Sequence, residues 1–180
     1  MNNLTETTNN PSSEDSGKTL LVIRHAKSSW DISTLNDFDR PLNERGKKEA
    51  PMMAKRLIEK KIKVDAFVSS PAKRAKKTAE LFSETYGKKP GEIVFVSMLY
   101  HAAVEDFYDV VKSLEDSLHT VAIFSHNPGI TAFVNTLSEG VQIDNVPTCG
   151  IFAIKAKSNK WADFKKAKKE YLFFDYPKLS

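Results

Sequence analysis

Six short runs of apolar and β-branched residues punctuate this chain, and stretches of helical spacing fall between most of them. That alternation limits the folds open to it. TLLVI (19–23), VDAFVS (64–69), IVFVS (93–97), TVAIFS (120–125), IFAIKA (151–156) and EYLFF (170–174) have strand length. Helices are predicted over 44–60, where Pro51 implies a kink or a late start, from the Ser70-Pro71 pair onward, over 104–117 and over 128–137. In the second of these, Ser70 reads as the N-cap and Pro71 as the first helical residue. Ala75, Ala79, Phe82 and Tyr86 share a face, and Gly87 reads as the C-terminal stop. Strands alternating with helices predict a three-layer α/β fold, a mostly parallel central sheet of about six strands with helices on both faces. The continuous apolar runs fit strands covered on both sides.

At 180 residues the chain has the length of one domain, expected over 19–180. Residues 1–18 hold almost nothing apolar and read as a disordered polar tail. The lone cysteine, Cys149, rules out an intrachain disulfide scaffold. No apolar run approaches the roughly 18 residues of a membrane-spanning helix, and the start lacks a signal-peptide pattern, so a cytoplasmic protein is expected. The net charge of +4 is small, and the C-terminal lysines (KAKSNKWADFKKAKKEY) read as a solvated face. They lack the interleaved aromatics that stack bases, so no nucleic-acid partner is expected.

In open parallel sheets, ligands bind beyond the carboxyl ends of the strands. Arg24 and His25 follow the first run, Ser69, Ser70 and Arg74 the second, His101 the third, and His126 and Asn127 the fourth. Arginine forks match phosphate oxygens and stay charged at every working pH. A neutral imidazole is a competent nucleophile near neutral pH when a hydrogen bond at one ring nitrogen aims the other. Singly, each residue has a plainer reading: Arg24 as a surface ion-pair partner, Arg74 as part of a solvated face, His126 as a satisfied buried histidine. Together at one sheet edge they point to phosphoryl chemistry. The scattered histidines do not make a metal set, so neither a metal nor another cofactor is expected. His119 has no such context and reads as surface.

These residues resemble a known family. Arg24-His25-Ala26, SSPAKRAKKTAE (69–80) and SHNPGI (125–130) are similar to the motifs of the histidine phosphatase superfamily. RHAKSSWD and DFDRPLNERG (24–46) resemble its small SixA-type phosphohistidine phosphatase branch. The resemblance implies the phosphoglycerate mutase-like form of the fold. It makes His25 the nucleophile, with Arg24, Arg74 and His126 holding phosphate oxygens. Ser28 and Arg40 become pocket-side residues, although Arg40 reads equally well as an ion-pair partner of Asp37 or Asp39. Trp30 reads as packing beside the motif.

Three positions depart from the family pattern. Ala26 replaces a glycine, and Asp31 lies where mutases place an asparagine, which argues against mutase activity. His101 stands where many relatives have a glutamate that protonates an alkoxide leaving group; it is a candidate catalytic residue that would supply the proton itself, with Glu105 nearby as a fallback, unless the leaving group needs none. An alcohol needs that proton, whereas a phosphohistidine leaves as imidazole and asks little of an acid. The resemblance thus implies a metal-independent phosphatase acting on a phosphohistidine protein or a small phosphorylated substrate. Alternatives are a small-molecule phosphomonoesterase or a catalytically weak phospho-binding protein.

Overall fold

The computed structural model describes residues 17–29 and 36–179. The tail reading over 1–16, and Trp30 and Asp31, lie outside the described residues. The first strand, β1 (Lys18–Arg24), takes in Lys18, which composition had assigned to the tail. Its side chain is buried and its Nζ donates to the carbonyl of Leu118 at 2.9 Å, so this lysine anchors the strand.

There follow α1 (Glu44–Glu59), β2 (Ala66–Ser69), α2 (Lys73–Thr85), β3 (Ile93–Phe95), α3 (Val104–Lys112), β4 (Thr120–Ser125), α4 (Gly129–Val134), β5 (Ile151–Ala156) and β6 (Lys169–Asp175). They build a 6-stranded sheet in the order β3-β2-β4-β1-β5-β6. The first four pair in parallel, and β5 and β6 add antiparallel to one side.

Alternate residues of each strand separate the two faces. Leu20 and Val22 join Val68, Val121 and Ile123 against Phe107 and Val111 of α3 and Ile130 and Phe133 of α4. Leu21 and Ile23 join Phe67, Ala122 and Phe124 against Ala50, Met53 and Leu57 of α1 and Phe82 of α2. Helices therefore cover both faces, and the three-layer α/β expectation stands. No described helix is long and apolar enough to cross a membrane.

Several boundaries differ from the sequence reading. α1 starts at Glu44 and carries Pro51 inside it, because Asn43 caps it by accepting from the Gly46 N–H at 2.9 Å. A late start is thereby excluded. α2 starts at Lys73 rather than at Pro71. The Lys73 N–H is met by the carbonyl of Phe38 at 3.0 Å, so a tertiary contact satisfies a helix end that Ser70 was expected to cap. Gly87, at φ +71°, does follow its last turn. The third and fourth helices and the second and third strands are shorter than their apolar runs.

Candidate active site

Strand register brings the site together. Arg24 pairs with Ser125 across β1 and β4, and Ser69 with Phe124 across β2 and β4, so three strands end level. The residues one step beyond, His25, His126 and Ser70, then stand side by side. Because β4 lies between β2 and β1, His126 comes between the other two. Its ring centroid is 5.1 Å from that of His25, and its Nε2 lies 2.8 Å from the Ser70 hydroxyl. One open pocket at this edge is lined by Arg24, His25, Lys27, Ser28, Asp37, Arg40, Arg74, His101, His126, Asn127, Pro128 and Thr148.

His25 is buried, and its Nδ1 lies 2.8 Å from the carbonyl oxygen of Ala26. A carbonyl only accepts, so Nδ1 carries the proton and Nε2 presents its lone pair. Arg74 Nε donates to that lone pair at 3.2 Å. Burial, followed by the charges of Arg74, Arg24 and Arg40, pushes the imidazole down to about 3, against the opposing pull of the Ala26 carbonyl. The ring is therefore neutral at any working pH. Ala26 is itself held, its N–H donating to Thr78 Oγ1 at 2.9 Å, and the Thr78 hydroxyl donates to the Arg74 carbonyl at 2.7 Å. One threonine thus ties the His25 turn to the Arg74 turn.

Arg74 is buried, and its remaining contacts run to one residue. Nη2 pairs with Asp37 Oδ2 at 2.9 Å and Nη1 donates to the Asp37 carbonyl. Arg40 Nη1 meets the other carboxylate oxygen at 2.8 Å, and the Tyr100 hydroxyl donates to Oδ2 at 2.9 Å. Burial resists the charge on Asp37, but the hydrogen bonds from Arg74 and Tyr100 and the charges of Arg74 and Arg40 hold its carboxyl at about 2. Arg24 donates from Nη1 to the Val146 carbonyl at 2.8 Å, and its buried Nε has no partner. Burial, and then the charge of Arg74, lowers its pKa.

His126 is also buried, and burial together with His25 and Arg74 pushes its imidazole down to about 2. Its Nδ1 is buried without a partner. The Ser70 hydroxyl, which accepts the Ala72 N–H at 3.2 Å, has its own proton to give to Nε2. When the hydroxyl donates, the imidazole proton sits on Nδ1. Gly129 makes the turn after His126 feasible, since a Cβ there would lie 2.1 Å from the Ala102 carbonyl oxygen.

Of the other expected residues, His101 lines the pocket in a left-handed conformation, φ 57°, with its ring 3.9 Å from that of Tyr100. Histidine is among the side chains that tolerate this region. Ser28 lines the pocket and accepts from Arg40 Nη2, so both readings of Arg40, pocket side and ion pair with Asp37, hold together. Glu105, the expected fallback acid, is not among the residues lining the pocket, and its carboxylate pairs with Lys165 Nζ at 2.6 Å. His119 is exposed. Ser70 was placed at this edge but read as a helix cap rather than as the partner of His126, and Tyr100 and the double engagement of Asp37 were missed. Ser70 carried a competing capping signal, and nothing in the spacing of Asp37 or Tyr100 marks them.

Comparison with known proteins agrees with this geometry. Residues 20–94 match the model of the histidine phosphatase superfamily (branch 1). An uncharacterized chloroplastic protein of Arabidopsis thaliana is 28% identical over 152 residues, 80% of this chain and 69% of that protein. A 2,3-bisphosphoglycerate-dependent phosphoglycerate mutase of Bartonella tribocorum is 36% identical over 80 residues, but these span only 39% of it. The structure of a putative phosphohistidine phosphatase SixA from Agrobacterium tumefaciens superposes with a TM-score of 0.73 at 23% identity, covering 89% of this chain and 98% of that one. From its first strand to its third the chain is thus similar to the histidine phosphatase superfamily, and it shares the fold of the SixA-type structure.

Proposed function

We propose that this protein is a metal-independent phosphatase whose substrate is a phosphohistidine on another protein. The observation that carries the reading is His25: the Ala26 carbonyl holds its Nδ1 proton, leaving a neutral Nε2 lone pair among arginines. In the first step Nε2 attacks phosphorus in line, and the Nε2–P bond forms as the P–N bond of the substrate breaks; the substrate ring, already protonated from solvent on its other nitrogen, keeps the electron pair and leaves as neutral imidazole. In the second, water attacks phosphorus, the Nε2–P bond breaks, and inorganic phosphate leaves. Arg24, Arg74 and His126 hold the phosphoryl oxygens; with the Ser70 proton given to Nε2, the unpartnered buried Nδ1 of His126 is the donor that such an oxygen satisfies.

The preference for a phosphoramidate is supported by the acids near the pocket. Asp37, held at about 2, has no proton to give, and Glu105 is paired with Lys165 outside the pocket. An alkoxide would leave poorly without such a proton, whereas a departing imidazole needs none from a carboxyl group. A small-molecule phosphomonoesterase is the second reading, and the partial match to phosphoglycerate mutases favours it.

The test is steady-state turnover of a phosphohistidine protein and an aryl phosphate in EDTA, for wild type and His25→Ala. Wild type is expected to turn over, faster on the phosphoramidate, and His25→Ala to be inactive with an unchanged far-UV spectrum. Turnover retained in His25→Ala refutes the mechanism. Equal rates on phosphohistidine and on an unactivated alkyl phosphate refute the substrate class.

A further inference from the structure

Asp37 already fills the role that a phosphoryl group would take in this pocket. Both of its carboxylate oxygens are engaged, Oδ1 by Arg40 and Oδ2 by Arg74 and Tyr100. Its backbone carbonyl accepts from Arg74 as well. With the Nε contact to His25, three of the five N–H groups of Arg74 are committed in the substrate-free protein. The two partners differ in freedom: the Arg74 side chain is 6% exposed and the Asp37 side chain 42%. The arginine is therefore fixed at the start of α2, and the carboxylate lies on the solvent side, where it is the member able to yield.

We propose that Asp37 is a resident counter-anion of the phosphate pocket, competing with phosphate for Arg74 and Arg40 and thereby setting the pocket against free inorganic phosphate. The inference rests on the reading that this pocket binds phosphoryl groups. A free phosphate ion must displace the carboxylate with no contact beyond the pocket to help it. A phosphorylated protein brings contacts of its own around the mouth, so it bears the same displacement more easily. Once the phosphoryl group has been hydrolysed those contacts no longer hold it, and return of the carboxylate to Arg74 speeds release of the product. Asp37 thus acts on specificity and product release rather than on the bond-breaking step. Because its side chain is partly solvated, the effect is that of a rim ion pair rather than of a buried one.

The experiment is calorimetric titration of the full chain with inorganic phosphate, for wild type, Asp37→Asn and Asp39→Asn. Asp39→Asn removes the same charge from the same loop and serves as the control. Asp37→Asn is expected to bind phosphate about tenfold more tightly, with phosphate inhibiting its turnover at a correspondingly lower concentration, and Asp39→Asn to stay within about twofold of wild type. Tyr100→Phe, which loosens the carboxylate without changing charge, should shift affinity the same way by less.

Unchanged or weaker binding in Asp37→Asn overturns the proposal, since the carboxylate would then be ordering Arg74 rather than competing for it. An equal gain in Asp39→Asn also overturns it, reducing the effect to net charge. The two readings fail separately: turnover surviving in His25→Ala removes the nucleophile but leaves these binding differences standing. Phosphate binding absent from every variant removes the pocket itself, and the counter-anion with it.

Discussion

Gly46→Ala sets two physical effects against each other, and the structure says which wins. Gly46 lies in the first turn of α1, where alanine would favour the helix by about 1 kcal/mol over glycine. A Cβ at this position, however, would lie 2.2 Å from the carbonyl oxygen of Lys27 and 3.0 Å from its nitrogen. Real Cβ contacts stop at 3.0 Å, so helix and loop must part by about 0.8 Å, the difference between 3.0 and 2.2 Å. Both sides of the clash are backbone, and no rotamer change relieves it. The separation also pulls on the Asn43 N–H bond to Lys27 O, 3.0 Å long.

Overpacking of this kind costs about 1–3 kcal/mol against a propensity gain of about 1 kcal/mol, so a net loss of up to about 2 kcal/mol is expected. Lys27 is two residues from His25, and displacements approaching 1 Å at a reacting group lower rates by about 10²-fold. We expect kcat/KM to fall by about 10- to 100-fold. Urea denaturation and aryl phosphate kinetics measure the two effects, with Gly140→Ala, which has open space around its Cβ, as the neutral control. A Gly46→Ala protein as stable as wild type with kcat/KM within about threefold would refute the reasoning.

Ser70→Ala removes the hydroxyl that orients His126 and satisfies the Ala72 N–H; stability should drop by about 1–3 kcal/mol and kcat/KM by about tenfold or more, with Ser70→Thr recovering part of the rate. A rate unchanged in Ser70→Ala would mean that His126 needs no orienting partner. The pH dependence has a definite sign. His25 at about 3 and His126 at about 2 are neutral when folded and titrate near 6.5 when unfolded. Below about 6.5 the unfolded chain therefore binds more protons, and stability falls as pH drops from there towards about 3. Denaturant titrations near pH 7 and near pH 5 should show this fall, reduced in a His25→Ala/His126→Ala double variant; an equal fall in both proteins would clear the imidazoles as its cause. For the same reason, kcat/KM should show no acid limb near 6.5 arising from His25.

Much of the fold was legible because the core strands are apolar on both faces and announce themselves without context. The runs at 120–125 and 151–156 became β4 and β5 without change, and Gly87 ended α2 as its backbone freedom predicts. The errors have a common origin in tertiary contacts that override local signals. Ser70 reads as the N-cap, but its hydroxyl meets the Ala72 N–H just ahead of the helix and reaches His126, while the Phe38 carbonyl supplies the partner of the first helical N–H at Lys73. Glu105 reads as a fallback acid, but in the first turn of α3 it is drawn away to Lys165. Lys18 reads as tail, but its ammonium reaches the Leu118 carbonyl and its strand extends to include it.

The sequence by itself determined the alternation of strands and helices, and with it the residues that must follow each strand: Arg24 and His25, Ser70 and Arg74, His101, and His126. Hydrophobic periodicity and chain polarity are local properties, and a parallel sheet puts the ends of its strands at one edge. Only the tertiary structure decided which of those ends are neighbours. The strand order β2-β4-β1 places His126 between Ser70 and His25, and the loop over 36–40 brings Asp37 onto Arg74, 37 positions away in the chain. The physical reason is that strand order and loop docking are set by how the helices cover two opposed apolar faces, a property of the assembled layers that no local spacing records.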